Sequence, residues 1–391
     1  MARKNGTATL DAESAVRQRY EKAAQEREVA LCCPVSYDPK YLEAIPKEIL
    51  ERDYGCGDPS RSVRAGDTVL DLGSGGGKIC YIAAQIAGPK GRVIGVDFNP
   101  EMLALAQKYQ PQIAKKLGYD NVIFLRARIQ DLSLPLGEVD AYLKANPVRS
   151  SDELRRFEEF QARLRKAAPV VPDQSVDVII SNCVLNLVRE TDREQLFREM
   201  FRVLKRGGRV AVSDIVSDEP VPEKMKQDSE LWSGCIAGAF QETAFLAAFE
   251  RAGFHAIRLD KYDTRPWKTI KGIEFRSVTV TARKGKQGAC WERNQAVIYK
   301  GPWKKVEDDD GHTLVRGQRA AVCDKTYNIL TGEPYAAEVA PVPPLQEIPL
   351  KKAKPFACGQ SSLRAPAETK GRRYRKTVNA GATCAPGSGC C

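Results

Sequence analysis

From Thr68 onwards, short apolar runs alternate with longer amphipathic stretches. Val69-Leu70-Asp71-Leu72 stops at Gly73-Ser74-Gly75-Gly76-Gly77, and a helical stretch, Lys78 to Ala87, follows. Arg92 to Asp97 reads as a second strand, and Pro100 to Leu117 as a second helix with Pro111 as a candidate kink. Val122 to Leu125 is a third strand and Val176 to Ser181 a fourth; the helix Arg193 to Leu204 then leads to a fifth strand, Gly208 to Ser213. Apolar strands separated by helices are the pattern of a parallel sheet covered on both faces. The expected fold is α/β, a doubly wound, mostly parallel, Rossmann-like sheet.

The flanking segments depart from this alternation. Glu13 to Arg27 is polar and helix-compatible, a proline interrupts Leu31-Cys32-Cys33-Pro34, and Tyr41 to Leu50 reads as a short helix ending near Tyr54-Gly55-Cys56-Gly57-Asp58-Pro59. The charged stretch between Asp131 and Asp173 is too long for a bare loop, and Ser151 to Ala167 is helical in composition. It reads as an inserted helical hairpin or cap, with a solvated surface helix as the simplest form. Beyond Ala282 the alternation stops: Ala296 to Tyr299 and Leu314 to Cys323 look like short strands around the turn Asp308-Asp309-Asp310-Gly311. That turn lacks the spacing of a calcium-binding loop and reads as solvated. The expected organisation is a cysteine-bearing helical segment (1–60), the sheet domain (61–283, with an insertion at about 135–172), a small β-rich appendage (284–349) and a basic, flexible tail (350–391).

Composition adds two puzzles. The chain has 391 residues, 42% of them hydrophobic, enough for a sizeable core. It has no apolar run long enough to span a membrane, and its basic, polar start, Met1 to Ala8, is no signal peptide, so the expected location is cytoplasmic, with no membrane partner. The net charge is +11, but nine Lys or Arg against the single acid Glu368 fall between Leu350 and Cys391. The remaining residues carry 52 basic and 49 acidic side chains, so the body is nearly neutral. No nucleic-acid module accompanies the basic tail, and no nucleic-acid partner is expected. The second puzzle is thiols: twelve cysteines in a reducing compartment, with only two histidines to support zinc or acid–base chemistry.

The glycine-rich turn has a physical task. Glycines let the backbone turn sharply after a strand and approach a ligand, and the next helix offers its N-terminal N–H groups. Asp97, at the end of the second strand, suits the two hydroxyls of a ribose. A nicotinamide dinucleotide and S-adenosylmethionine compete for such a site. Asp71, just ahead of Gly73, decides for the second, because a carboxylate there suits a cationic amino acid and repels pyrophosphate. Asp131, after the third strand, is placed to take an adenine amino group. Asp71, Asp97 and Asp131 at three successive strand ends resemble the class I S-adenosylmethionine-dependent methyltransferases.

Three thiols are expected to converge around one crevice. Ser181-Asn182-Cys183-Val184-Leu185-Asn186-Leu187 follows the fourth strand, Cys56 precedes the first, and Cys235 lies in Gly234-Cys235-Ile236-Ala237-Gly238-Ala239 after the fifth. Together with Cys32-Cys33 and Tyr54-Gly55-Cys56-Gly57-Asp58-Pro59, these segments resemble the signature segments of arsenite S-adenosylmethionine methyltransferases. The resemblance covers Glu28 to Ala282. It implies that Cys56, Cys183 and Cys235 hold trivalent arsenic and are catalytic, that Cys32 and Cys33 serve an auxiliary redox step, and that thioredoxin or glutathione is the reductant. Gly73, Gly75, Gly77, Asn99, Met102, Ile129 and Asn182 then join Asp71, Asp97 and Asp131 in the cofactor set. The stretch Pro135 to Pro172 and the region after Ala282 depart from the family pattern.

Thiolates are soft ligands that select soft centres, so a thiol-held As(III) makes the scarcity of histidine intelligible. The tail cysteines Cys384, Cys390 and Cys391 form a candidate capture and delivery cluster, whereas Cys80, Cys290, Cys323 and Cys358 lack a motif and read as structural. The expected activity is methylation of arsenite or methylarsenite for arsenic detoxification, by a monomer. The alternatives are a methyltransferase for an organic small molecule with structural cysteines, and a non-catalytic metalloid-binding protein.

Overall fold

The computed structural model describes residues 11–26, 28, 35–358 and 362–370. The chain divides into two compact units, Met1–Gly285 and Lys286–Cys391. In the first, α1 (Ala12–Ala23), α2 (Pro39–Leu42) and α3 (Lys47–Glu51) precede the sheet. The single helix expected over Tyr41 to Leu50 is divided, because Pro46 has no N–H to continue a helical ladder and sits instead at the start of α3.

Then come β1 (Thr68–Leu72), α4 (Lys78–Ala87), β2 (Arg92–Asp97), α5 (Pro100–Leu117) and β3 (Val122–Arg126). The insertion is a pair of helices, α6 (Leu136–Ala145) and α7 (Ser151–Ala167). Tyr142 of α6 stacks on Phe157 and Phe160 of α7, with ring centroids 5.9 and 4.1 Å apart. No residue of α7 is buried, so it is a solvated helix held by that aromatic seam. Next are β4 (Val176–Asn182), α8 (Glu190–Val203), β5 (Leu204–Ser217), α9 (Glu223–Lys226), α10 (Ser229–Ser233), β6 (Phe240–Gln241), α11 (Glu242–Arg251), β7 (His255–Tyr262), β8 (Lys268–Ile270) and β9 (Ile273–Arg283).

The main path of this nine-stranded sheet runs β3-β2-β1-β4-β5-β9-β7. The first five strands are parallel, and β9 runs antiparallel between β5 and β7. Strand periodicity sends alternate residues to opposite faces. Leu70, Ile94 and Ile179 pack on one side with Leu196, Phe197 and Phe249 of α8 and α11. Val69, Val93 and Val178 pack on the other with Ile79, Ala83 and Leu103 of α4 and α5. With both faces covered, the loops at the carboxyl ends of β1 to β5 are left to form a site.

The second unit holds β10 (Trp291–Glu292), β11 (Ala296–Tyr299), β12 (Lys305–Glu307), β13 (Thr313–Val315), β14 (Arg319–Ala321), α12 (Asp324–Leu330), β15 (Val339–Val342), β16 (Lys354–Pro355) and α13 (Pro366–Lys370). The strand expected over Leu314 to Cys323 is cut by a turn at Gly317, whose φ of +79° favours glycine. Asp308 accepts from the N–H groups of Asp310 and His312 at 3.0 and 2.8 Å, closing the β12–β13 hairpin.

The expectation of a loose tail from Leu350 is corrected for its first part. Lys354–Pro355 pairs with Trp291–Glu292, Leu363 bridges to Ala320, and buried Arg364 donates to both carboxylate oxygens of Glu292 at 2.8 Å. A charge-assisted hydrogen-bonded pair and strand pairing order a segment whose basic composition alone reads as unstructured.

Candidate active site

The carboxyl ends of β1 to β4 open on one cleft of about 1060 Å³, counting space open to solvent. Asp71, Gly73, Gly75, Asp97, Asn99, Met102, Ile129, Asn182 and Cys183 all line it. Gly73 has φ +72°, and a Cβ there would lie 2.4 Å from the Val184 side chain. A Cβ on Gly75 would meet nothing within 4 Å, so this residue faces open space. Asp97 ties the turn to β2, accepting from the N–H of Gly75 and of Asn99, both at 2.9 Å. Burial pushes its carboxyl up, and those N–H groups partly offset it. Asp71 is also buried, accepts from the Cys80 thiol at 3.1 Å, and is pushed up to about 7 by burial.

A polar ligand with a cationic group fits this cleft. Ser74 Oγ and Asn99 Nδ2 are buried there and have no hydrogen-bond partner among the described residues. Such orphaned groups are costly unless a ligand satisfies them. Asn99 has a second task, capping α5 by accepting from Glu101 and Met102 at 3.0 and 3.1 Å.

Two expected cofactor residues lie elsewhere. Gly77 is off the cleft: it starts α4 with φ +87°, where a Cβ would sit 2.9 Å from Phe124. Asp131 is also off the cleft wall, because its N–H bonds Arg128 O in a tight turn and its carboxylate is held by Arg165 of α7 at 3.0 and 2.9 Å. The cleft is closed there by Arg128 itself, which Glu13 of α1 grips at 2.6 to 3.1 Å.

The thiols gather behind the cleft. Cys56, Cys183 and Cys235 are 1, 5 and 4% exposed, among Ile215, Val221, Met225, Ile236 and Phe275. The Sγ atoms of Cys56 and Cys183 and a carboxylate oxygen of Asp214 all lie within 4.8 Å of one another. Cys235 Sγ is turned onto the carbonyl of Cys183, at 3.3 Å. Cys183 and Cys235 both have φ +61°, a left-handed conformation that is uncommon for residues with a Cβ and clusters at functional sites.

The surrounding loops are fixed by buried polar contacts. Asn182 Oδ1 accepts from the N–H of Cys56 and Gly57 at 2.9 and 3.1 Å, while its Nδ2 donates to Gly57 O at 2.8 Å and Tyr37 Oη at 3.2 Å. Its amide is thus spent on the Cys56 loop and Tyr37, so Asn182 lines the cleft but has no amide hydrogen bond left over for a cofactor. Asp214 accepts from Leu185 N, Asn186 Nδ2 and Ile215 N at 2.8 to 2.9 Å, and burial drives it up to about 7. Replacing Asn182 with Ala strands the N–H groups of Cys56 and Gly57, at about 1–3 kcal/mol each, while Gly57 O keeps the Tyr37 hydroxyl at 3.0 Å. The expected result is a raised KM for the thiol-bound substrate with the affinity for S-adenosylmethionine changed less than about threefold; a matching loss of cofactor affinity would return Asn182 to the cofactor set.

Helix α1 was not foreseen as a wall of the site. Glu13, Val16 and Tyr20 line the cleft. The Tyr20 hydroxyl is pushed well up, by burial first and then by the thiols Cys235 and Cys183 beside it. Arg19 ties α1 to α10 through Glu230 O and Ser233 Oγ at 2.9 and 3.1 Å. The only sequence signal was the helix-compatible stretch from Glu13.

Cys32, Cys33, Cys384, Cys390 and Cys391 lie outside the described residues. In the second unit the structure brings together Cys290, Cys323 and Cys358, to which the sequence gave no role. Burial opposes ionisation of Cys290, but the thiols of Cys358 and Cys323 and the Lys325 ammonium outweigh it and hold its pKa below the usual thiol range.

A parallel sheet with an antiparallel β9, a glycine-rich turn after β1 and acids ending β1 and β2 defines an S-adenosylmethionine-dependent methyltransferase of class I. Residues 64–148 and 144–253 match a family described as a methyltransferase domain, and residues 286–374 match one described as a domain of unknown function. The chain is 30% identical to the arsenite methyltransferase of Aquipseudomonas alcaligenes over 340 residues, covering 82% of this chain and 88% of the relative. It is 29% identical to the arsenite methyltransferase of Mus musculus, covering 84% and 79%. The crystal structure of an arsenic(III) S-adenosylmethionine methyltransferase from Chlamydomonas reinhardtii is similar, with a TM-score of 0.51 and 25% identity over 83% of this chain and 99% of that one. The chain belongs to the arsenite methyltransferase family.

Proposed function

We propose that this chain methylates trivalent arsenic, held by Cys56, Cys183 and Cys235, in the service of arsenic detoxification. The observation that carries the reading is the approach of the Cys56 and Cys183 sulfurs to within 4.8 Å among buried apolar side chains, with Cys183 also on the cofactor cleft. As(III) meets these two thiols first, and Cys235 turns from the Cys183 carbonyl to become the third ligand. Three thiolates leave arsenic pyramidal, with a lone pair on its open side. Asp71, Asp97, Ser74 and Asn99 are the residues to hold S-adenosylmethionine. Bound there, it supplies an electrophilic methyl group for which the arsenic lone pair is the nucleophile.

The protein's own part is positioning and exclusion of water. Asn182 fixes the Cys56 loop, Asp214 fixes the loop after Cys183, and α1 covers both with Val16 and Tyr20. Methyl transfer leaves arsenic formally pentavalent, so turnover calls for a thiol reductant, glutathione or thioredoxin, with Cys32 and Cys33 in the auxiliary redox role. Among the described residues no helix is long and apolar enough to cross a membrane. A monomer in the reducing cytoplasm completes the reading, because disulfides among these thiols would block arsenic binding.

The test is X-ray absorption of the arsenite-loaded chain without cofactor, followed by arsenic speciation after adding S-adenosylmethionine and a thiol. Three sulfur neighbours, a lower mean sulfur count in Cys235→Ser, and methylated products are expected. Oxygen-coordinated arsenic, or unchanged arsenite, would reject the reading.

A further inference from the structure

The second unit carries a thiol cluster of its own. Cys290, Cys323 and Cys358 come from three separate segments, yet their Sγ atoms all lie within 4.8 Å of one another, and each is a free cysteine. Strand pairing explains the convergence. Trp291–Glu292 pairs antiparallel with Lys354–Pro355, and Phe356 N–H donates to Cys290 O at 2.8 Å, so the cysteines flanking the two strands fall side by side. Cys323 enters from the start of α12, where its sulfur accepts from Thr326 N at 3.4 Å and lies 3.2 Å from Thr326 Oγ1.

The supports around the cluster are in place. Lys325 Nζ donates to Gly288 O at 3.2 Å, tying the Cys290 segment to α12. Arg293 bonds Asp324 at 2.7 Å and Ile348 O at 2.6 Å, joining the same segments from the other side. Ligands held this way need little rearrangement to close on an ion.

The donor set selects the ion. Three sulfurs and no imidazole or carboxylate form this group among the described residues, and Gly359-Gln360-Ser361, which follows Cys358, brings no such donor. Structural zinc is almost always bound by four protein ligands in a tetrahedron. Three thiols instead match the pyramidal demand of As(III). We propose that Cys290, Cys323 and Cys358 form a second, non-catalytic As(III) site in the C-terminal unit. The choice of arsenic rests on the proposed substrate. Among its described residues the second unit carries no glycine-rich turn of the kind that follows β1, so an ion held there is stored rather than methylated.

Arsenite titration of the full-length chain, with bound arsenic counted by mass spectrometry, tests this. Cys290→Ser and Cys358→Ser are each expected to remove the same single tight arsenic per chain. Affinity at that site should fall about 100-fold or more, as one of three tethered ligands is lost. The initial methylation rate under excess reductant should stay within about twofold. Cys358 is exposed, so its replacement leaves the packing intact, and thermal melting of both variants checks the fold. Unchanged stoichiometry in Cys358→Ser would overturn the proposal, as would bound zinc that arsenite cannot displace. If Cys183→Ser alone loses an arsenic, the second site fails while the active-site reading stands. If Cys358→Ser loses one and the wild type methylates nothing, the second site stands and the active-site reading fails.

Discussion

Cys183→Ser and Cys235→Ser are each expected to lower arsenite methylation by about 10³-fold or more, while cofactor affinity stays within about threefold of the wild type. A hydroxyl is a hard, neutral donor and does not replace a thiolate at a soft centre. With two thiolates left, the lone pair loses its fixed direction, and the positioning that lowers the barrier goes with it. Serine is close in size to cysteine and meets the same left-handed backbone at φ +61°, so folding should be little changed. A serine at 235 can still donate to the Cys183 carbonyl. Arsenic speciation for turnover and calorimetry for cofactor binding separate the two effects. Full methylation by both variants would remove these thiols from the site and favour a methyltransferase of organic molecules with structural cysteines.

Asp71→Asn is expected to push stability and cofactor binding in opposite directions. The folded protein raises this carboxyl from 3.8 to about 7, through burial. A raised acid contributes stability that is full below the unfolded value and is lost as pH climbs through the folded one. The window therefore runs from about pH 4 to pH 7, and above it the ionised, buried carboxylate strains the cofactor-free fold. The rise from 3.8 to about 7 corresponds to roughly 4 kcal/mol, less about 1–3 for the amide hydrogens that asparagine leaves unpaired. The melting temperature of the cofactor-free variant should rise by about 2–8 °C at pH 8 and fall below the wild type by a similar amount near pH 4, where only the cost of the unpaired amide hydrogens remains. Removing the partner of a buried cation costs about 2–5 kcal/mol, so S-adenosylmethionine affinity should fall roughly 30-fold or more. An affinity within threefold of the wild type would make Asp71 a purely structural acid.

The two variants report on parts of the molecule that differ in how far the sequence foretold them. The strand-turn-helix from Val69 to Ala87 was legible because apolar period and turn chemistry are local. Gly73 and Gly75 appear on the cleft as the turn requires, with φ +72° and +49°. Asp131 is off the cleft wall for a tertiary reason, since Arg165, 34 residues away on a solvated helix, holds its carboxylate. Asn182 was assigned to the cofactor because it ends β4. Only the path of the Cys56 loop, 126 residues earlier, shows that its amide is fully used there.

By itself the sequence determined the order of strands and helices, the glycine turn with its two acids, and the thiol-bearing segments. Each of these depends on residues near one another along the chain. The tertiary structure decided which groups meet. It brought Asp214 to Cys56 and Cys183, laid α1 over the cleft, and turned Cys235 toward a carbonyl. It also joined Cys290, Cys323 and Cys358, which no spacing rule connects. Such meetings follow from strand register, loop path and buried hydrogen bonds, which fix side-chain positions only once distant segments have packed.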